Sequence, residues 1–132
     1  MATISTESGI AGEMAHAGAA FLESLRPDQV EKTTYEYLDG ERVFWYYPPL
    51  NRHGLPLRDM DAGQRKLADA LMATGLTTGS YEKAKLIIDL ESVLGPLEKE
   101  AGHITFVRDP ELYYFTVFGE PGGKDPWAWR VE

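Results

Sequence analysis

Glu91 carries the sharpest chemical tension in this sequence. At about 100° per residue, Ala84, Ile87, Ile88, Leu90 and Leu94 share one broad helical arc, and Glu91 falls inside it. Lys85, Asp89 and Ser92 cluster on the opposite side. A carboxylate within an apolar arc must be paired, hydrogen-bonded or protonated, because burying it bare costs several kcal/mol. Two roles meet that demand. One is a general acid–base or a metal ligand; the other is a structural acid held by Arg130, a tyrosine hydroxyl or loop backbone.

The three histidines, His16, His53 and His103, show no helical or hairpin spacing of a metal pair, so no metal site is assigned. His53 stands in a long loop close to the aromatic run that includes Trp45, where it would line a pocket or remain an exposed loop residue. Phe44, Trp45, Tyr46 and Tyr47, together with Tyr113, Tyr114, Trp127 and Trp129, supply either a stacking wall for a sugar or flat ligand or plain core. Arg130, Glu120 and Glu111 flank the two C-terminal strands, as a charged site at the sheet edge or as surface pairs. The ligand-binding candidates are therefore Trp45, His53, Tyr114 and Arg130, with Glu91 as the catalytic one; the residues specify no cofactor. Gly122-Gly123-Lys124 lacks the spacing of a phosphate loop, and no Gly-x-Ser-x-Gly elbow occurs.

Bulk composition narrows the partners. The 132 residues, 43% hydrophobic and 26% charged, suit one modest globular core. A net charge of −8 with no local Lys/Arg cluster opposes nucleic acid and anionic membrane surfaces. The absence of cysteine removes disulfides, thiolate zinc sites and Cys nucleophiles. No Lys or Arg occurs up to Leu25, where a secretory signal would need a basic start, and a cytoplasmic location is expected.

The elements that must position these residues follow from periodicity. Residues 1–9 read as frayed. Met14, Ala17, Phe21 and Leu25 form one face of a first helix, and Pro27 opens a short second one. Residues 42–47 alternate as a strand until Pro48 and Pro49 end it, and residues 50–60 form a loop long enough to be a lid or wall. Asp61 and Gln64 make a capping box for a helix that Gly75 ends. The next helix runs from residue 81 to about 94 and stops at Gly95-Pro96. Residues 112–119 form a strand apolar on both faces, hence central, and residues 126–131 its partner.

Five segments together resemble one family: Ser24-Leu25-Arg26-Pro27-Asp28-Gln29, Gly54-Leu55-Pro56-Leu57-Arg58-Asp59-Met60, Arg108-Asp109-Pro110-Glu111-Leu112-Tyr113-Tyr114, Val117-Phe118-Gly119-Glu120-Pro121 and Trp127-Ala128-Trp129-Arg130. The family is the domain of unknown function 3500 group of bacteria and fungi, and the resemblance runs over residues 20–132. It implies no established activity. It does imply longer relatives that continue past the position of Glu132 with a histidine-rich strand, so that this chain would be a truncated family domain.

The expected fold is α+β: N-terminal helices on a small, incomplete antiparallel sheet, with residues 1–19 a frayed helix and residues 20–132 one domain. Two functions fit. The full-length relatives are metal-assisted enzymes to which this chain contributes walls and Glu91, or the chain is an aromatic-lined module that binds a small molecule or a partner without catalysis. The final strand, left without a neighbour, would offer a route to a homo-oligomer.

Overall fold

The structure, a computed structural model, describes residues 9–45, 52–103 and 106–132. Four helices, α1 (Ile10–Glu23), α2 (Pro27–Thr33), α3 (Ala62–Thr74) and α4 (Thr78–Glu100), accompany four strands, β1 (Thr34–Tyr35), β2 (Leu55–Pro56), β3 (Tyr114–Phe118) and β4 (Ala128–Val131). The class is α+β.

β3 organises the sheet. Its five consecutive apolar or hydroxylic side chains are all buried, as a strand covered on both faces must be. β4 runs antiparallel along one edge, pairing Phe115 with Val131 and Phe118 with Ala128. On the other edge β2 lies antiparallel beside Tyr114 and Phe115, and β1 lies parallel beside Val117 and Phe118. The sheet is therefore mixed, not antiparallel throughout. β1 and β2 are two residues each, too short to show any alternation in the sequence, and β1 simply continues the chain as it leaves α2.

The core fills the space between the helices and one face of this sheet. Phe21 and Leu25, next to Ala68, Leu71 and Met72 of α3, meet Phe115 and Val117 of β3; the Phe21 and Phe115 rings lie 6.0 Å apart. Trp127, Trp129 and Val131 pack against the same cluster, so the Trp-Ala-Trp run is accommodated inside this chain. Gly75 permits that: a Cβ there would come within 2.6 Å of the Trp129 ring. Gln29 and Gln64, both buried, bind α2 to α3 by exchanging amide hydrogen bonds of 3.0 and 2.8 Å. The capping box of α3 is present, with Asp61 accepting from the Gln64 amide at 2.8 Å.

Two further expectations fail. Residues 42–45 form no strand: the Asp39 carboxylate accepts from the Glu41 amide at 2.9 Å and tightens Gly40–Val43 into a 3₁₀ turn. Val43, the last residue of that turn, and Phe44 and Trp45 after it are exposed, while Tyr46, Tyr47, Pro48 and Pro49 lie outside the described residues, as do residues 1–8 of the segment expected to fray; its residues 10–19 lie in α1. Nor does Gly95-Pro96 stop α4. Proline forfeits one helical hydrogen bond, but Arg108 holds the following turn by gripping Glu98 at 3.0–3.2 Å, with its Cβ 3.2 Å from the position a Gly95 Cβ would take.

Candidate functional site

The alternation of β3 sends Phe115 and Val117 to the core and Tyr114, Thr116 and Phe118 to the other face of the sheet. Register adds Tyr35 beside Phe118, Arg130 beside Thr116 and Pro56 beside Tyr114. This second face carries polar chemistry rather than helices.

Arg130 is its hub. One guanidinium nitrogen donates to the carbonyls of Glu41 and Phe44 at 2.8 and 2.7 Å, and the other to the Glu41 carboxylate at 2.9 Å. Glu132 lies 3.6 Å from Arg130 and 3.0 Å from Arg52. All four side chains of this network keep only 9–14% of their surface exposed. Glu41 has a second partner: its Oε2 is 2.8 Å from His53 Nδ1, which donates when it carries the proton. Burial pulls the Glu41 carboxyl upward, but the hydrogen bonds from His53 and Arg130 outweigh it, and the net shift is below the ordinary glutamate value. Burial, followed by the Glu41 and Asp39 charges, raises the Tyr35 hydroxyl.

His53 itself is 70% exposed and stands 6.5 Å from the Tyr35 ring, at the rim of a cleft of about 370 Å³. Tyr114, Pro56 and Gly54 form the floor, and Lys32, Arg52, Arg58 and Asp59 contribute the charge. Neither Lys32 nor Arg58 makes an ion pair among the described residues. Gly54 is required here: its φ is +108°, and a Cβ would lie 2.4 Å from Thr116 Oγ1 and 2.9 Å from the Phe115 carbonyl. The loop read as a lid or wall thus supplies wall residues, pressed onto β3.

A larger hollow of about 520 Å³ shares Tyr35 but is built on the Gly/Pro turn after β3, with Glu36, Glu120 and Asp125 against Lys124. It has no oriented pair of titrating groups. The smaller cleft, with its carboxylate–imidazole pair, carries more chemistry.

Of the residues singled out from sequence, His53 and Tyr114 meet in the cleft, and Arg130 reaches it through Glu41 and His53. Trp45 is exposed beyond the 3₁₀ turn and does not line the cleft. The aromatic run divides: Trp127 and Trp129 enter the core, while Phe44 and Trp45 face solvent. Glu91 belongs to a separate cluster, where its Oε1 accepts from the Tyr113 hydroxyl at 2.9 Å and its Oε2 lies 3.9 Å from Arg108. Burial and then the Glu91 carboxylate push the Tyr113 hydroxyl up to about 12. Glu111 pairs with Arg65 instead of Arg130. Among the described residues no group of three His, Asp or Glu side chains could hold a metal ion.

Sequence reasoning missed Glu41, Arg52, Lys32 and Arg58. Arg58 stood within a quoted family segment, but Glu41 was hidden by the strand-like alternation that follows it.

A family model for proteins of unknown function, DUF3500, matches residues 7–132. The chain belongs to the DUF3500 family. No curated protein and no solved structure matches it. Family membership brings no assigned activity, so function rests on the geometry above. Among the described residues no helix of this DUF3500 chain is long and apolar enough to cross a membrane.

Proposed function

We propose that the cleft between β2, Tyr35 and Tyr114 binds a small anionic ligand, one bearing a carboxylate or phosphate group. The observation that carries this reading is the convergence of Lys32 and Arg58, neither of them in an ion pair, on a cleft where Asp59 is the one lining carboxylate and where Arg52 and His53 already have Glu132 and Glu41 as partners, in a chain whose net charge is −8. Cations gathered against the prevailing charge of a protein focus anions where they converge. Lys32 and Arg58 offer donors for charge-assisted hydrogen bonds, and the buried Tyr114 provides a floor for the ligand's apolar part.

Inorganic phosphate and acetate serve as probes. Either should raise the melting temperature of the wild-type chain at fixed ionic strength, and the double variant Lys32→Ala/Arg58→Ala should lose that increment while still folding. An equal increment in the double variant, or none in the wild type beyond that of chloride, rejects the cleft as the anion site.

Catalysis is the second reading, favoured by the Glu41–His53 pair. A carboxylate on Nδ1 fixes the imidazole tautomer and leaves Nε2 to act as a base on a bound ligand. This relocates the proposed acid–base function from Glu91 to His53; His53→Gln would then abolish turnover while retaining phosphate binding. The wider expectations rest on sequence: a cytoplasmic location, as read above, and no nucleic-acid partner on the net charge. Self-association through the outer edge of β4 draws support from its single described ladder.

A further inference from the structure

α4 has two apolar faces and only one is used. Tyr81, Ala84, Ile88, Glu91, Gly95 and Glu98 recur at alternating spacings of three and four and are half-buried against the body of the protein. Tyr81 and Ala84 pack on the core, the Tyr81 hydroxyl donates to Asp69 of α3, and Glu91 and Glu98 engage Tyr113 and Arg108. On the outward side Leu86, Leu90, Val93 and Leu97 keep between 48% (Leu90) and 59% (Leu86) of their surface in water, flanked by Ile87 and Leu94. Those four recur at spacings of four, three and four, the seam of a two-helix coiled coil.

We propose that this seam is a homodimer interface, in which α4 pairs antiparallel with α4 of a second copy about a twofold axis between Glu91 and Ser92. The symmetry of the seam itself selects this partner. Reading outward from that axis, Leu90 mirrors Val93, Leu86 mirrors Leu97, and the next seam positions are Lys83 and Glu100, both exposed. Antiparallel pairing therefore stacks aliphatic side chains through the centre and closes each end with a lysine facing the partner's glutamate. Parallel pairing would set Lys83 against Lys83 and Glu100 against Glu100. Opposite charges at mirrored positions choose both the partner and its direction.

The size is adequate. About half the surface of six aliphatic side chains on each helix gives on the order of 1,000 Å² for the pair, the lower bound of a specific interface before flanking methylenes are counted. Cover by another segment of polypeptide would satisfy the leucines equally well, but it would have no need of the mirrored lysine and glutamate.

Light scattering and sedimentation of the 132-residue chain and its variants test this. The wild type should dimerise. Leu90→Asp, next to the axis, should weaken association by roughly a hundredfold or more while leaving the far-ultraviolet circular dichroism unchanged. Lys83→Glu alone and Glu100→Lys alone should each raise the dissociation constant roughly tenfold, and the double exchange should restore it. A monomeric wild type overturns the proposal. So does a dimer that survives Leu90→Asp, which would point to the β4 edge, or a double exchange that fails to rescue. The charge-swap variants alter exposed positions only, so loss of fold does not obscure the outcome.

Discussion

Arg130 and Glu41, far apart in sequence, are joined by two contacts, an ion pair of 2.9 Å and a hydrogen bond to the Glu41 carbonyl at 2.8 Å, and a third hydrogen bond from Arg130, to the Phe44 carbonyl, fixes the backbone beyond. A guanidinium fork thereby fastens the 3₁₀ turn to β4 and, through Glu41, orients His53. Replacing Arg130 by methionine leaves a shielded carboxylate without its main partner. The variant should lose about 3 kcal/mol of unfolding free energy in urea, and Arg130→Lys, which keeps the charge but not the fork, about half as much. Equal losses from the two would show that the charge contributes nothing without the fork.

The same contact sets a pH dependence. Because the folded state lowers the Glu41 pKa from the ordinary value of 4.5, the proton binds more tightly to the unfolded chain. The contribution is complete above the unfolded value and is lost as the pH falls through the lowered folded value. Melting temperatures followed from pH 7 downward should drop more steeply for the wild type than for Glu41→Gln. Parallel curves would remove Glu41 from the acid limb.

Tyr113 predicts the opposite sign at the alkaline end. Its pKa is raised from 10 to about 12, so its share of stability is complete below about pH 10 and is lost as the pH rises through 12. Tyrosinate absorbance should show Tyr113 ionising latest, with Tyr35 and Tyr81 also above the ordinary value. In Glu91→Gln its midpoint should fall, since a neutral amide no longer repels the phenolate. An unchanged midpoint would leave burial as the sole cause.

The paired glutamines on α2 and α3 should be strongly non-additive. Gln64→Leu removes both hydrogen bonds that the buried Gln29 amide makes with α3, leaving it the Asp59 carbonyl at 2.7 Å and the Arg26 amide at 2.8 Å, and should cost about 2 kcal/mol. Gln29→Leu should cost a similar amount. The double variant, with neither partner stranded, should fall clearly short of the sum in a double-mutant cycle. Strict additivity would mean that the two amides act independently.

Much of the helical half was legible in sequence because its signals are local. The Asp61/Gln64 box, the Gly75 terminus and the spacing of Met14, Ala17 and Phe21 all depend on neighbours within one or two turns. β3 was legible because both its faces are apolar. What escaped notice depends on distant partners: two-residue strands exist only because β3 hydrogen-bonds them, and a distant arginine, Arg108, grips the turn beyond Pro96 of α4. The site divided the same way. His53, Tyr114 and Arg130 stood out by residue type, whereas Glu41 and Lys32 gain meaning only once β3 brings their segments together. Glu91 was placed on the apolar arc, and half of that arc turned outward.

The pairing of β1 with β3 also bears on how the molecule is made. Thr34 leaves the ribosome early, yet its ladder partner is Val117, and Arg130 beyond it completes the network around Glu41. Helices α1 to α4 can therefore form during synthesis, but the cleft lined by His53 and Pro56 has no floor until Tyr114 emerges. Nascent chains stalled before β3 should be protease-sensitive across residues 34–45 and 52–60, and protection of those stretches should arrive in one step rather than gradually.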